Sequence, residues 1–375
     1  MKITDITTRV IQLPAEDWFS PGPVPAGHVP FWEMALTTLH TDEGIEGHTM
    51  GYGPLGQGRG SAYHIHDVYY HDLVGKDPLN HEAIWQEMRK KGRHLYNMTD
   101  TVQSDLDVAL WDIKGKVAGL PIAVLLGKVR DRVRLYRTYP PHTVRSVVQV
   151  GNAVELTKKE GYTALKLQLL GDVKTNIERL AFAREKAGPD FTLMLDASAQ
   201  LSFVDALQIG SLLDELHFEW FEEPLPDRHI LQLKKLCERV KTPILAGETV
   251  SLFEMPQYLA EGAVDVMRAD THIKRGITGL MKALAVCELM GYELEIHTAS
   301  SPLLDVANLQ VACATHLSNF VENHHSMFRF GLKGNPLDVQ PDGCQHLPCG
   351  PGLGVDIDWD WMDNNTTEVI KGCRY

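Results

Sequence analysis

The chain has 375 residues, 44% of them hydrophobic, which is enough to bury a sizeable core as two domains or as one large barrel with an attachment. Its formal net charge of −13 gives a nucleic-acid partner no global electrostatic support. The opening segment lacks a secretory apolar stretch, no apolar run is long enough to span a membrane, and six scattered cysteines fit reduced thiols better than a disulfide framework, so a cytoplasmic protein is expected.

Residues 2–13 alternate as a strand. Segment 14–31 is too rich in Pro and Gly for a regular element, and is expected as a loop carrying Trp18, Phe19 and His28. Trp32–His40 and Ile45–Met50 read as a hairpin around Thr41-Asp-Glu-Gly44. Gly51-Tyr-Gly-Pro-Leu-Gly56 has the dinucleotide-binding spacing GxGxxG. That fingerprint needs a parallel βαβ unit, whereas the strand before it here belongs to a hairpin, and Pro54 removes an amide that could face a phosphate. A second mobile loop over 51–60, carrying Tyr52, is expected instead. From Ser61 to Leu126 the spacing is helical, most clearly at His81–Lys91 and Thr101–Gly119. Residues 1–125 therefore read as an α+β domain.

From Val133 to about residue 325 strands and helices alternate. Strands are expected at 133–139, 164–169, 192–197, 218–223, 243–248, 266–270, 293–298 and 319–323. Eight parallel strands with intervening helices make a barrel, assigned to residues 126–330, with its active site at the carboxyl ends of the strands. Segment 331–375, with Gly350-Pro-Gly-Leu-Gly354 and an acidic, Trp-rich run to Trp361, reads as a return to the first domain.

Three consecutive strands end in acids, Asp196, Glu222 and Glu248, each 26 residues after the last. Carboxylates crowded at one sheet edge repel unless a cation neutralises them, and hard oxygen ligands favour Mg²⁺, Mn²⁺ or Ca²⁺. Glu223 is expected on the opposite side of its strand from Glu222. The other strand ends supply Lys166 and Gln168, Asp270, His297 and Glu322. Asp270 and His297 end neighbouring strands, which brings the carboxylate within reach of one ring nitrogen.

At Val108-Ala-Leu-Trp-Asp-Ile-Lys-Gly-Lys116, Trp220-Phe-Glu-Glu-Pro224, Ala246-Gly-Glu248, Gly276-Ile-Thr-Gly279 and Gly350-Pro-Gly-Leu-Gly354 the sequence resembles the enolase superfamily, in its mandelate racemase-like subgroup. The resemblance covers nearly the whole chain. It implies a (β/α)₇β TIM-type barrel with an N-terminal α+β capping domain completed by the C-terminal tail. It implies Mg²⁺ held by Asp196, Glu222 and Glu248, and removal of the proton α to a carboxylate through an enediolate. His297, Asp270, Lys166 and Glu322 are the expected catalytic residues. Gln168, Ser198, Trp18, His28 and Tyr52 are the candidate substrate contacts. The implied partners are a small-molecule carboxylate and further copies of the chain in a homo-oligomer, with no nucleic acid and no membrane.

Three departures from the family pattern stand out. Gln168 occupies the place of the second lysine of a Lys-x-Lys motif, and a neutral amide cannot take a proton. Ser198 replaces an asparagine, and Lys274-Arg275-Gly276 replaces part of a Gly-Gly turn. With one strong base, dehydration of an aldonate or aldarate to a 2-keto-3-deoxy acid is the expected reaction. A racemase, epimerase or cycloisomerase is the alternative. A non-catalytic metal- and ligand-binding protein is a third reading, against which the joint presence of His297, Asp270, Lys166 and Glu322 argues.

Overall fold

Strand β1 (Ile3–Pro14) is rich in β-branched residues, which suit a pleated surface, and it pairs antiparallel with β2 (Phe31–Thr41). Strand β3 (Gly47–Pro54) returns along β2. The computed structural model describes residues 1–14, 31–54, 57–95, 100–139, 143–298, 301–323 and 330–375. Trp18 and His28 lie outside the described residues, as does the side chain of Tyr52.

The expected loop over 51–60 is corrected by the fold. Gly51–Pro54 belong to β3, because β2 is long enough to offer partners as far as the Trp32–Pro54 pair. A helix, Gln57–His64, follows, with the Glu33 carboxylate accepting the Arg59 N–H near its start at 3.0 Å. The antiparallel β2–β3 pairing also excludes the parallel unit that a GxGxxG site needs.

The long helix Asp100–Ala118 packs the capping sheet against the barrel. Its Asp107 accepts from the Thr278 N–H and hydroxyl, and Trp111 Nε1 donates to Thr278 Oγ1 at 2.9 Å. Gly276 must be glycine here. Its φ is +84°, and a Cβ would stand 2.3 Å from Asp107 Oδ2.

The barrel strands are β4 (Arg132–Thr138), β5 (Ala164–Gln168), β6 (Thr192–Asp196), β7 (Phe221–Glu222), β8 (Ile244–Ala246), β9 (Val266–Ala269), β10 (Glu293–Ile296) and β11 (Phe320–Asn323). Neighbours pair in parallel from β10 round to β4, and β4 pairs with β11. Side chains complete the ring between β10 and β11. Thr298 Oγ1 donates to the Glu322 carbonyl, and Ser318 Oγ accepts the Ile296 N–H at 3.1 Å. Tyr136, Trp220 and Phe320 plug the interior edge to face, with ring centres 5.5–6.3 Å apart. The plug closes the lower end, which leaves chemistry to the carboxyl ends of the strands.

The C-terminal segment first adds β12 (Cys344–His346) antiparallel to β4, and then β13 (Thr366–Lys371) antiparallel to β1. Among the described residues no helix is long and apolar enough to cross a membrane.

Candidate active site

Alternation along the strands fixes the layer just above the aromatic plug. Residues two apart share a face, so Lys166 lies above Ala164, Glu222 above Trp220 and Glu322 above Phe320. Arg268 on β9 joins them. All four charges are buried, and they form one alternating network. Lys166 Nζ is 3.1 Å from Glu222, 3.2 Å from Glu322 and 3.7 Å from Asp196. Arg268 is 3.1 Å from Glu222 and 3.2 Å from Glu322. Tyr136 and Thr138 donate hydroxyls to Glu322, and Trp220 Nε1 donates to Glu222. Burial opposes the Lys166 charge, but Glu222 and Glu322 outweigh it and hold its pKa well above the ordinary value. With Glu222 and Glu322 in these positions, Lys166 carries a positive charge beside the acids.

Above this layer lies the mouth. Gln168 and Asp196 border it on β5 and β6, in register with Glu222 of the layer on β7. Asp196 accepts the Ser198 N–H at 2.7 Å and the Ser198 hydroxyl at 3.2 Å, so Ser198 orients that carboxylate. Burial, against the pull of Lys166, pushes Asp196 up to about 6. Glu248 follows β8.

Glu223 is not where strand alternation puts it. The strand stops at Glu222, and Glu223 takes a left-handed φ of +42°. Its carboxyl then faces the acids of the mouth. Burial, with Glu248, Asp196 and Asp227 nearby, pushes it up to about 9. The mouth is thus short of positive charge on the side of Asp196, Glu223 and Glu248. Asp196, Glu222 and Glu248 at the same mouth are carboxylates all, a donor set of the kind that fits a hard divalent cation. Among the described residues, however, no three His, Cys, Asp or Glu side chains are drawn together tightly enough to hold a metal ion. Glu222 is turned to Lys166 and Arg268 instead.

Across the mouth, His297 Nδ1 lies 2.8 Å from Asp270 Oδ2, while Nε2 faces Glu248 at 3.9 Å. Asp270 is buried, which alone would raise its pKa; the His297 bond outweighs burial and lowers it. Burial likewise opposes the imidazolium, but Glu248 and Asp270 raise His297 to about 9. Gln168 Oε1 and Arg268 Nη1 are buried with no hydrogen-bond partner among the described residues.

Arg268 lies two residues before the strand-end Asp270, so strand ends alone do not reveal it. Period-2 alternation from Asp270 would have placed it inside the barrel. Arg275, in the departure from the Gly-Gly turn, takes a left-handed φ of +61° that ordinarily favours glycine. Its ion pair with Asp100 at 2.7 Å and its bond to Gln103 at 2.9 Å hold it there.

Comparison with known proteins bears on this arrangement. A profile described as the mandelate racemase / muconate lactonizing enzyme N-terminal domain matches residues 8–127, and one described as enolase C-terminal domain-like matches residues 149–361. The chain belongs to the mandelate racemase/muconate lactonizing enzyme family of the enolase superfamily. Within that family it is 29% identical to a D-galactarolactone cycloisomerase of Agrobacterium fabrum, over 96% of this chain and 97% of the relative. It is 30% identical to an L-talarate/galactarate dehydratase of Salmonella typhimurium, over 88% of this chain and 82% of the relative. The structure superposes on a D-glucarate dehydratase of Agrobacterium tumefaciens complexed with magnesium, with a TM-score of 0.87 and 28% identity over 98% of this chain and all of the other. The barrel with its capping domain is therefore the family fold.

Proposed function

We propose that the protein dehydrates an acid sugar, an aldonate or aldarate, to a 2-keto-3-deoxy acid. The observation that carries this reading is the asymmetry of the mouth: the His297–Asp270 dyad stands on one side, and Gln168, a neutral amide, stands where a second base would be. The dehydratases among the relatives support it.

Asp196, Glu222 and Glu248 would hold Mg²⁺, which when bound offsets the charge that develops on the substrate carboxylate. Binding there requires Glu222 to turn from its present partners. A cation bound to Glu248 would offset the pull that raises His297, and the imidazole in its neutral form takes the α-proton at Nε2 while Asp270 fixes the tautomer through Nδ1. The Cα–H electron pair enters the enediolate. It then forms the Cα–Cβ double bond as the β-hydroxyl leaves, taking a proton from imidazolium His297 or from another acid at the mouth. The resulting enol becomes the 2-keto acid by tautomerisation. Lys166, held protonated, adds a fixed positive charge beside the acids. Glu322, saturated by Tyr136, Thr138, Lys166 and Arg268, anchors that cation. The capping-domain segments that carry Trp18, His28 and Tyr52 contribute substrate contacts.

The likeness to a cycloisomerase over nearly both whole chains favours a second reading, intramolecular trapping or release of a lactone on the same enediolate. A panel of aldonates, aldarates and their lactones incubated with Mg²⁺ separates the two. A 2-keto-3-deoxy product supports dehydration, and lactone isomerisation without a 2-keto product overturns it.

A further inference from the structure

Two buried charges outside the network already described hold the loop that carries Glu248. Lys274 is fully buried, and its Nζ donates to the carbonyls of Gly247 at 3.0 Å, Glu248 at 2.6 Å and Val250 at 2.6 Å. An ammonium has three N–H donors and no acceptor, so all three are used on this one loop. The amides of the same loop are held by Asp227. Its carboxylate accepts the Gly247 N–H at 2.9 Å, the Thr249 N–H at 3.0 Å and the Thr249 hydroxyl at 2.6 Å. Asp227 is itself tied down, its carbonyl accepting the Tyr258 hydroxyl at 2.7 Å. Gly247 runs at φ +100°, where a Cβ would meet the Met267 side chain at 2.4 Å, so the loop takes a path few residues could follow.

Lys274 also belongs to the turn that follows β9. Its N–H bonds to the Asp270 carbonyl at 3.2 Å, and Asp270 carries His297. One turn therefore connects the dyad to the Glu248 backbone. A lysine that merely filled space here could be an apolar chain, with no charge to bury.

We propose that Lys274 and Asp227 are positioning residues that fix Glu248 against the Asp270–His297 dyad and present its carboxylate to a divalent cation. The inference rests on the metal reading of the site. The probe is Mn²⁺, titrated calorimetrically into the substrate-free protein. Lys274→Met and Asp227→Asn are expected to weaken Mn²⁺ binding about 10–100-fold, as loss of the partners that orient metal ligands does elsewhere. Ile209→Ala, a core truncation in the helix Phe203–Leu216, is the control: it lowers thermal stability and leaves Mn²⁺ affinity unchanged. Where Lys274→Met does not fold, Asp227→Asn carries the test. Folded variants that bind Mn²⁺ like the wild type overturn the clamp and leave the metal reading standing. An equal affinity loss in Ile209→Ala overturns it as well. A wild type that takes up no Mn²⁺ removes the metal reading, and the clamp with it.

Discussion

Glu248 comes within 3.9 Å of His297, at Nε2, the ring nitrogen that Asp270 leaves open. The proposed metal ligand and the proposed base thus meet at one edge of the barrel, where the Glu248 carboxylate favours the charged imidazole. Replacing the base should separate their roles. His297→Asn is expected to lower turnover about 10²–10⁴-fold while divalent-cation binding persists. Deuterium exchange at the substrate α-carbon reads the same step. Exchange at the wild-type rate in the variant would assign proton removal to another residue.

The neutral side of the mouth makes a different prediction. Gln168→Lys places an amine beside Asp196, in register across β5 and β6. A second proton carrier on that side should let the enediolate be reprotonated there. The expected outcome is an α-epimer of the substrate alongside the 2-keto product, followed by proton NMR. If no epimer forms at any pH, residue 168 does not decide which face exchanges.

Much of this site was legible in the sequence, because strand ends are. The acids Asp196, Glu222 and Glu248 close apolar runs at a constant interval, and parallel neighbours must bring such residues to one edge. What escaped was set by backbone geometry beyond the strands. Glu223 was misplaced because alternation was carried one residue past the end of β7, into a left-handed conformation that no side-chain pattern announces. Lys274 binds main-chain carbonyls and Asp227 binds two main-chain amides besides the Thr249 hydroxyl, so their partners leave little side-chain signature. The segment 51–60 misled through its glycines, since a long partner strand recruits Gly51 and Gly53 by their backbone alone.

Arg268 offers a test of the buried charge layer. Arg268→Met leaves Glu222 and Glu322 to share Lys166, and removing one partner from a buried ionic network costs about 3–5 kcal/mol. A denaturant titration should register a loss of that order. Unchanged stability would mean that the two carboxylates are not both ionised in the folded protein.

Stability should also fall in mild acid, and His48 is one cause. Burial, helped by Lys116, His40 and Arg9, lowers its pKa from 6.5 to about 3. The unfolded chain takes up a proton near pH 6.5 while the folded one does not, so the folded state loses ground as pH drops. Between pH 6.5 and 5.5 this single group accounts for about 1 kcal/mol. His48→Asn should flatten that part of the stability–pH curve. An unaltered slope in the variant would place the acid sensitivity elsewhere.

The pairing of Thr7 with Lys371, which joins β13 to β1, has a consequence for synthesis. On the ribosome the free edge of β1 must wait for a partner translated nearly a whole chain later, a delay of roughly 20 s or more at about 5–20 residues per second. During that interval an exposed strand edge is open to pairing with other nascent chains. The barrel can close in the meantime, but the cap over it is finished last.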